Sequence, residues 1–142
     1  MTRGSRKSEE GTAVVEAALT LLLFFTLLLG IMEGARFLNV QQTLTNAARE
    51  GARVAVAPIS QTATLASDGE IETAVRTFLG AARISGATVA VERPVVVQAN
   101  GVAMQYTRVR VAVPYRVISL ASFNALSVNL AGEALMRNET SP

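Results

Sequence analysis

The chain has 142 residues, half of them hydrophobic and only 17% charged, with a formal net charge of +2. That is enough for one modest domain and too little charge to point to nucleic acid. There is no Cys and no His, and the thirteen basic residues are all Arg except Lys7, which removes disulfides, thiolate metal sites, the commonest general base and the commonest transition-metal ligand.

Residues 1–11 form a short polar stretch with Arg3, Arg6 and Lys7. Residues 12–32 follow, and their only charge is Glu16. At about 1.5 Å per residue such a helix spans about 32 Å, against a bilayer core of about 30 Å. A cleaved secretory signal would be shorter and would end in small residues; here Glu33-Gly34-Ala35-Arg36 follows. A buried helix of a soluble protein would need a surrounding core that the remaining residues hardly supply. A membrane span with the N-terminus in the cytoplasm is the expectation.

Glu16 is the anomaly, because a carboxylate in lipid is costly. It sits about one helical turn inside the apolar run, near enough to an interface to reach headgroups. A cationic partner is the other reading. Cleavage after Gly11 would give Thr12 a new α-ammonium group, and Glu16 of one subunit would pair with Thr12 of its neighbour.

Gly11, four residues and Glu16, set between a basic leader and an apolar helix, resemble the processing site of type IV pilin-like proteins. A second block, Gln42-Thr43-Leu44-Thr45-Asn46-Ala47-Ala48-Arg49-Glu50-Gly51-Ala52-Arg53, resembles the TadE-like family, small pilins or pseudopilins of the tight-adherence (Tad, Flp) pilus system. Val14-Val15-Glu16 and Gly34-Ala35-Arg36 fit the same pattern. Ala17 departs from it where the family often has an aromatic residue, and no Pro interrupts the apolar helix. The resemblance covers about residues 10–57. It implies a structural pilus-assembly protein, cut between Gly11 and Thr12 by a prepilin peptidase, with Glu16 as the assembly carboxylate and residues 46–53 (Asn46, Ala47, Ala48, Arg49, Glu50, Gly51, Ala52, Arg53) as the family segment. The implied partners are that peptidase, other pilins or pseudopilins, the Tad inner-membrane machinery and membrane lipid.

The residues predict one unbroken helix over 12–57, ended by Pro58. Past the membrane, Phe37, Leu44, Ala48, Gly51 and Ala55 recur at helical spacing, with Gln41 as the polar exception and Glu50–Arg53 as an i,i+3 pair. Gly30 and Gly34 form a small-xxx-small pair. Residues 59–66 read as a loop. Ser67-Asp68-Gly69-Glu70 has capping-box spacing and opens a helix to about Arg83, with Ile71, Val75, Phe78, Leu79 and Ala82 on one face and Glu72–Arg76 paired. Ser85-Gly86 ends it. The period then falls to two. Residues 87–91 form a strand that Pro94 interrupts, 95–98 continue or restart it, and Asn100-Gly101 is a hairpin turn. Residues 102–113 follow, with Thr107, Val109, Val111 and Val113 on one face, until Pro114. Residues 118–124 read as a short turn or helix. Residues 126–137 are a strand with Leu126, Val128, Leu130, Ala134 and Met136 inward.

The expected fold is α+β: a long N-terminal helix (12–57, with a transmembrane part at 12–32) and a second helix covering a small antiparallel sheet of three to four strands, with an extracytoplasmic domain over 58–142. About 85 residues make a thin core, so the long helix must contribute to it. Asp68, Glu70 and Glu72 read as first-turn carboxylates before they read as cation ligands. Arg93, Arg108, Arg110 and Arg116 read as a basic, mostly solvated sheet face. No nucleophile–base pair can be assembled, so no catalytic residue, cofactor or metal is expected. The alternative function is an unprocessed, single-pass module whose outer domain binds a partner.

Overall fold

The computed structural model describes residues 3–57, 65–99, 102–117 and 126–138; for 3–10, 99, 102, 103 and 126 it describes the backbone. The elements are α1 (Arg3–Val56), α2 (Asp68–Ala81), β1 (Thr88–Ala99), β2 (Val102–Val117) and β3 (Leu126–Arg137). The expected α+β arrangement is present, with three antiparallel strands in the order β1-β2-β3. The chain divides into two compact units, Met1–Arg36 and Phe37–Pro142.

In the first unit α1 starts at Arg3, nine residues before the helix expected from the apolar run. Residues 3–11 contain no Pro and several good helix formers, so nothing halts the helix at the polar boundary. Its end falls at Val56. Pro58, the expected stop, lies outside the described residues, as do 59–64 of the expected loop.

In the second unit the later part of α1 and α2 cover one face of the sheet. The core is built from Leu44, Ala47, Ala48, Ala52 and Ala55 of α1, Ile71, Val75 and Leu79 of α2, and Val109 and Val111 of β2, all at most 2% exposed. The expected face of α1 was too narrow, since Ala47 and Ala52 are fully buried as well. The cause is visible at Gly51. A Cβ there would lie 2.6 Å from Val75 Cγ2 of α2 and 3.2 Å from Val109 Cγ1 of β2. The helix is wedged between α2 and the sheet and buries two sides. At Gly132 of β3 a Cβ would strike the backbone of Leu44 and Thr45, so α1 and β3 meet main chain to main chain. Gln41 completes this crossing, because its Nε2 donates to the carbonyl of Ala131 at 2.8 Å. The polar exception on the α1 face therefore satisfies a backbone group of β3.

The α2 cap forms as expected. Ser67 Oγ accepts from the Glu70 N–H, and the Glu70 carboxylate accepts from the Ser67 N–H at 2.8 Å. The hydroxyl and N–H of Ser67 hold the Glu70 carboxyl below its ordinary value of 4.5, so the cap favours the fold above that pH and stops doing so as pH falls through the lowered value. Three details of α2 differ from expectation. The helix ends at Ala81, because Arg83 takes the left-handed conformation (φ 58°) and Ile84 N–H bonds back to Leu79 O at 2.9 Å. This is a Schellman closure, set before Ser85-Gly86. Phe78 is 38% exposed and Ala82 is exposed, because the covered stripe is the narrow row Ile71, Val75, Leu79.

In the sheet, Val89 and Val91 of β1 oppose Val111 and Val109 of β2, and these oppose Gly132 and Ala134 of β3. β1 does not stop at Pro94. Its register with β2 shifts between Glu92 and Val95, so Arg93-Pro94 forms a bulge, and Val95 joins the face of Tyr106. β2 likewise runs through Pro114 to Val117. Pro114 pairs with Asn129 of β3, and the pairing with β1 begins only at Thr88↔Ala112. The N–H that Pro114 lacks would face a position with no β1 neighbour, so no ladder bond is lost. Ala99 pairs with Val102; the Asn100-Gly101 turn expected between them, and residues 118–124, lie outside the described residues. Of the inward β3 residues, Leu130 is buried and Ala134 and Met136 pack against the core. Val128 is 39% exposed, because it lies near the end of the sheet; the side chain of Leu126 is outside the described set. Thr107, fully buried, donates to Asn138 Oδ1 at 2.8 Å.

The main-chain contact at Gly132 predicts that Gly132→Ala lowers stability by about 3 kcal/mol, through forced separation of α1 from β3. Gly80→Ala on α2 meets nothing within 4 Å and is expected to raise stability by about 0.5–1 kcal/mol through helix propensity. Denaturant unfolding of the two variants in detergent checks both signs.

Candidate functional site

Gly11, Thr12 and Glu16 all lie within α1 and are exposed. Thr12 and Glu16 are four residues apart and so occupy one side of the helix. The described part of α1 contains a stretch long and apolar enough to cross a membrane, none of it buried within the protein. Val14, Leu19, Leu22, Leu23, Leu27 and Ile31 are each more than half exposed. So much unshielded hydrocarbon on every side is costly in water and favourable in lipid, which suggests a membrane anchor. Thr26, the polar residue in its middle, donates to Leu22 O at 2.8 Å, so its hydroxyl presents no unmet donor to lipid. Glu16 has no such arrangement. Among the described residues no cation pairs with its carboxylate.

The structure splits the block 46–53 into two functions. Ala47, Ala48, Gly51 and Ala52 are buried, and at Gly51 even a Cβ would crowd Val75 of α2 and Val109 of β2. Asn46, Arg49 and Arg53 are exposed on the opposite side. Glu50 and Arg53 pair as expected, with Nη2 2.5 Å from Oε1, and the bonded guanidinium holds the Glu50 carboxyl below its ordinary value. Arg49 has no ion-pair partner among the described residues. Gly30 and Gly34 have open space where a Cβ would be.

The three carboxylates at the start of α2 each have a structural role. Asp68 pairs with Arg93, Glu70 caps α2, and Glu72 lies 2.6 Å from Arg76. The three carboxylates thus serve three different partners. The expected basic sheet face is neutralised in part. Arg93 turns to α2, donating to Ala66 O at 2.7 Å as well as to Asp68. Arg108 donates to Glu92 at 3.1 Å, and its Nε lies 3.0 Å from Glu133 Oε1 without hydrogen-bond alignment. Arg110 and Arg116 remain exposed on that face. Glu133 was missed because its partner stands across a strand pairing, at a sequence distance no local pattern reveals. Asn138 and the role of Gln41 were missed for the same reason.

Neither a curated protein nor a solved structure matches the chain significantly. One family model does match, that of the TadE-like protein, over residues 11–53. Its bounds run from the small residue before Thr12, through Glu16 and the apolar span, to Arg53 at the end of the half-buried block. Residues 11–53, the membrane-length apolar stretch and the block that follows it, are thus similar to the TadE-like family.

Proposed function

We propose that the protein is a minor pilin or pseudopilin of a Tad (Flp) pilus machine, a structural component with no reaction of its own. The observation that carries this is the TadE-like match lying on a helix whose first part is a bare apolar span. The match supports a pilus-associated, minor pilin-like role in general. The finer reading is that the chain enters the cytoplasmic membrane with its N-terminus inside and its sheet-bearing unit outside. A prepilin peptidase then cuts between Gly11 and Thr12. Glu16 takes the new Thr12 ammonium of a neighbouring subunit as its partner, and the absence of a cation beside Glu16 within the described residues favours an intermolecular one. Other pilins or pseudopilins and the Tad inner-membrane machinery are the remaining partners.

Intact mass of the protein taken from membranes is expected to correspond to a chain starting at Thr12. A chain retaining Met1, in cells with an active prepilin peptidase, would instead favour an unprocessed single-pass binding module. Gly11→Leu should block the cut, giving the full-length mass; unchanged cleavage places the site elsewhere. Glu16→Ala removes a charge that costs about 3 kcal/mol at mid-bilayer on insertion scales, so insertion should be intact or improved while pilus assembly fails. Membrane fractionation and electron microscopy of the same cells separate the two effects, and normal piliation would refute the pairing role.

A further inference from the structure

Within the second unit, α1 is covered on most of its circumference. The exposed positions between residues 39 and 56 are Asn39, Gln42, Asn46, Arg49 and Arg53. Their spacing alternates three and four, so they form one straight seam along the helix. Leu38, 58% exposed, flanks its start. We propose that this seam docks a helix of a different pilus protein, one that carries carboxylates opposite Arg49 and Arg53. The inference rests on the pilus reading above and adds the surface and the chemistry of the partner.

Three observations support it. The seam is poorly suited to be a plain solvated face. Asn is a weak helix former, and an exposed helix gains more from Ala, Glu or Lys. Here three amide side chains are followed by two arginines, and Gln42, Asn46 and Arg49 bond to nothing among the described residues. Second, every residue of the seam lies within the stretch that the family model matches. Packing explains Ala47, Ala48, Gly51 and Ala52 in that segment; the fold gives Asn46 and Arg49 no task. Third, a shallow groove of about 280 Å³ lined by Gln41, Gln42, Thr45, Asn46 and Arg49 runs beside the seam, so side chains of an apposed helix have a place to enter.

Charge decides the occupant. A second copy lying parallel would set Arg49 against Arg49 and Arg53 against Arg53, a like-charge juxtaposition that opposes pairing. A helix with Asp or Glu at those heights would meet Arg49, which has no competing partner, and share Arg53 with Glu50. Hydroxyl or amide groups further along would meet Asn46 and Gln42.

The test is photo-crosslinking of the full chain in piliated cells, with p-benzoylphenylalanine at Asn46 and, as a control, at Thr77 on the exposed side of α2. The expected result is an adduct from position 46 whose sequenced peptide belongs to a different pilus protein and bears Asp or Glu. Arg49→Glu should lower the adduct yield at least about tenfold, while Arg49→Lys, which keeps the charge, retains it. An adduct with a second copy, with a non-pilus protein or with a peptide free of acidic residues overturns the proposal. So does a yield no higher than at Thr77, or one indifferent to Arg49→Glu. Thermal unfolding of the Arg49→Glu variant in detergent should match the parent; if it does not, Arg49→Gln takes its place in the same comparison. Deleting the whole gene tests the underlying reading separately: pili that survive deletion remove the pilus role, whereas pili lost on deletion but kept in Arg49→Glu remove the seam alone.

Discussion

The packing of the second unit depends on a contact with no side chain in it. At Gly132 the β3 backbone lies directly against the α1 backbone at Leu44 and Thr45. With the helix this near, the residues around the crossing have to be small. Ala47, Ala48, Gly51, Ala52 and Ala55 supply that, all buried, and Gly51 admits Val75 from α2 on one side and Val109 from β2 on the other. Leu44, Ile71 and Leu79 then fill the volume around this thin layer. A core with so few large side chains is stable through closeness of main chains rather than bulk, which suits a unit of this size. Near the other end of the sheet, Phe37 and Tyr115 meet edge to face with ring centroids 5.7 Å apart, a bulkier contact where the helix and sheet need more filling.

Polar groups in such a structure must each have an answer, and four of them find one in three different ways. Gln41 answers a strand carbonyl. Thr107 and Asn138 answer each other inside the core. Thr26 answers its own helix. Each removes an unmet donor or acceptor whose burial would cost more than the bond itself gains. Glu16 stands apart because nothing in the described chain answers it, and the asymmetry between it and Thr26 is why its partner is sought in another molecule.

The TadE-like segment serves several demands along one helix. Its first part is hydrocarbon for lipid. Its last part alternates between small residues that the sheet and α2 require and polar residues that face outward. The two sets interleave at helical spacing, so a linear motif such as Asn-Ala-Ala-Arg-Glu-Gly-Ala-Arg is, in three dimensions, a packing surface and an exposed seam back to back.

The sequence by itself determined the elements whose causes are local: the anchor from its apolar length, the α2 start from Ser67 and Glu70, the i,i+3 and i,i+4 ion pairs, the alternation of β2, and the TadE-like block. It took Pro114 for the end of β2 and left open whether the strand continues past Pro94, since whether a missing N–H matters depends on which neighbour stands beside it. It ran α2 to about Arg83 and credited the stop to Ser85-Gly86, whereas the helix ends at Ala81 and the left-handed residue that closes it is Arg83 itself. It noticed Gln41 as an exception without a reason, and it gave no hint of the Glu92–Arg108–Glu133 row. What only the tertiary structure decided was therefore the set of contacts made across strand pairings and between α1 and β3. Local patterns fix which side of an element is apolar, but the identity of the atoms it meets depends on register and crossing point, and these are set by residues far apart along the chain.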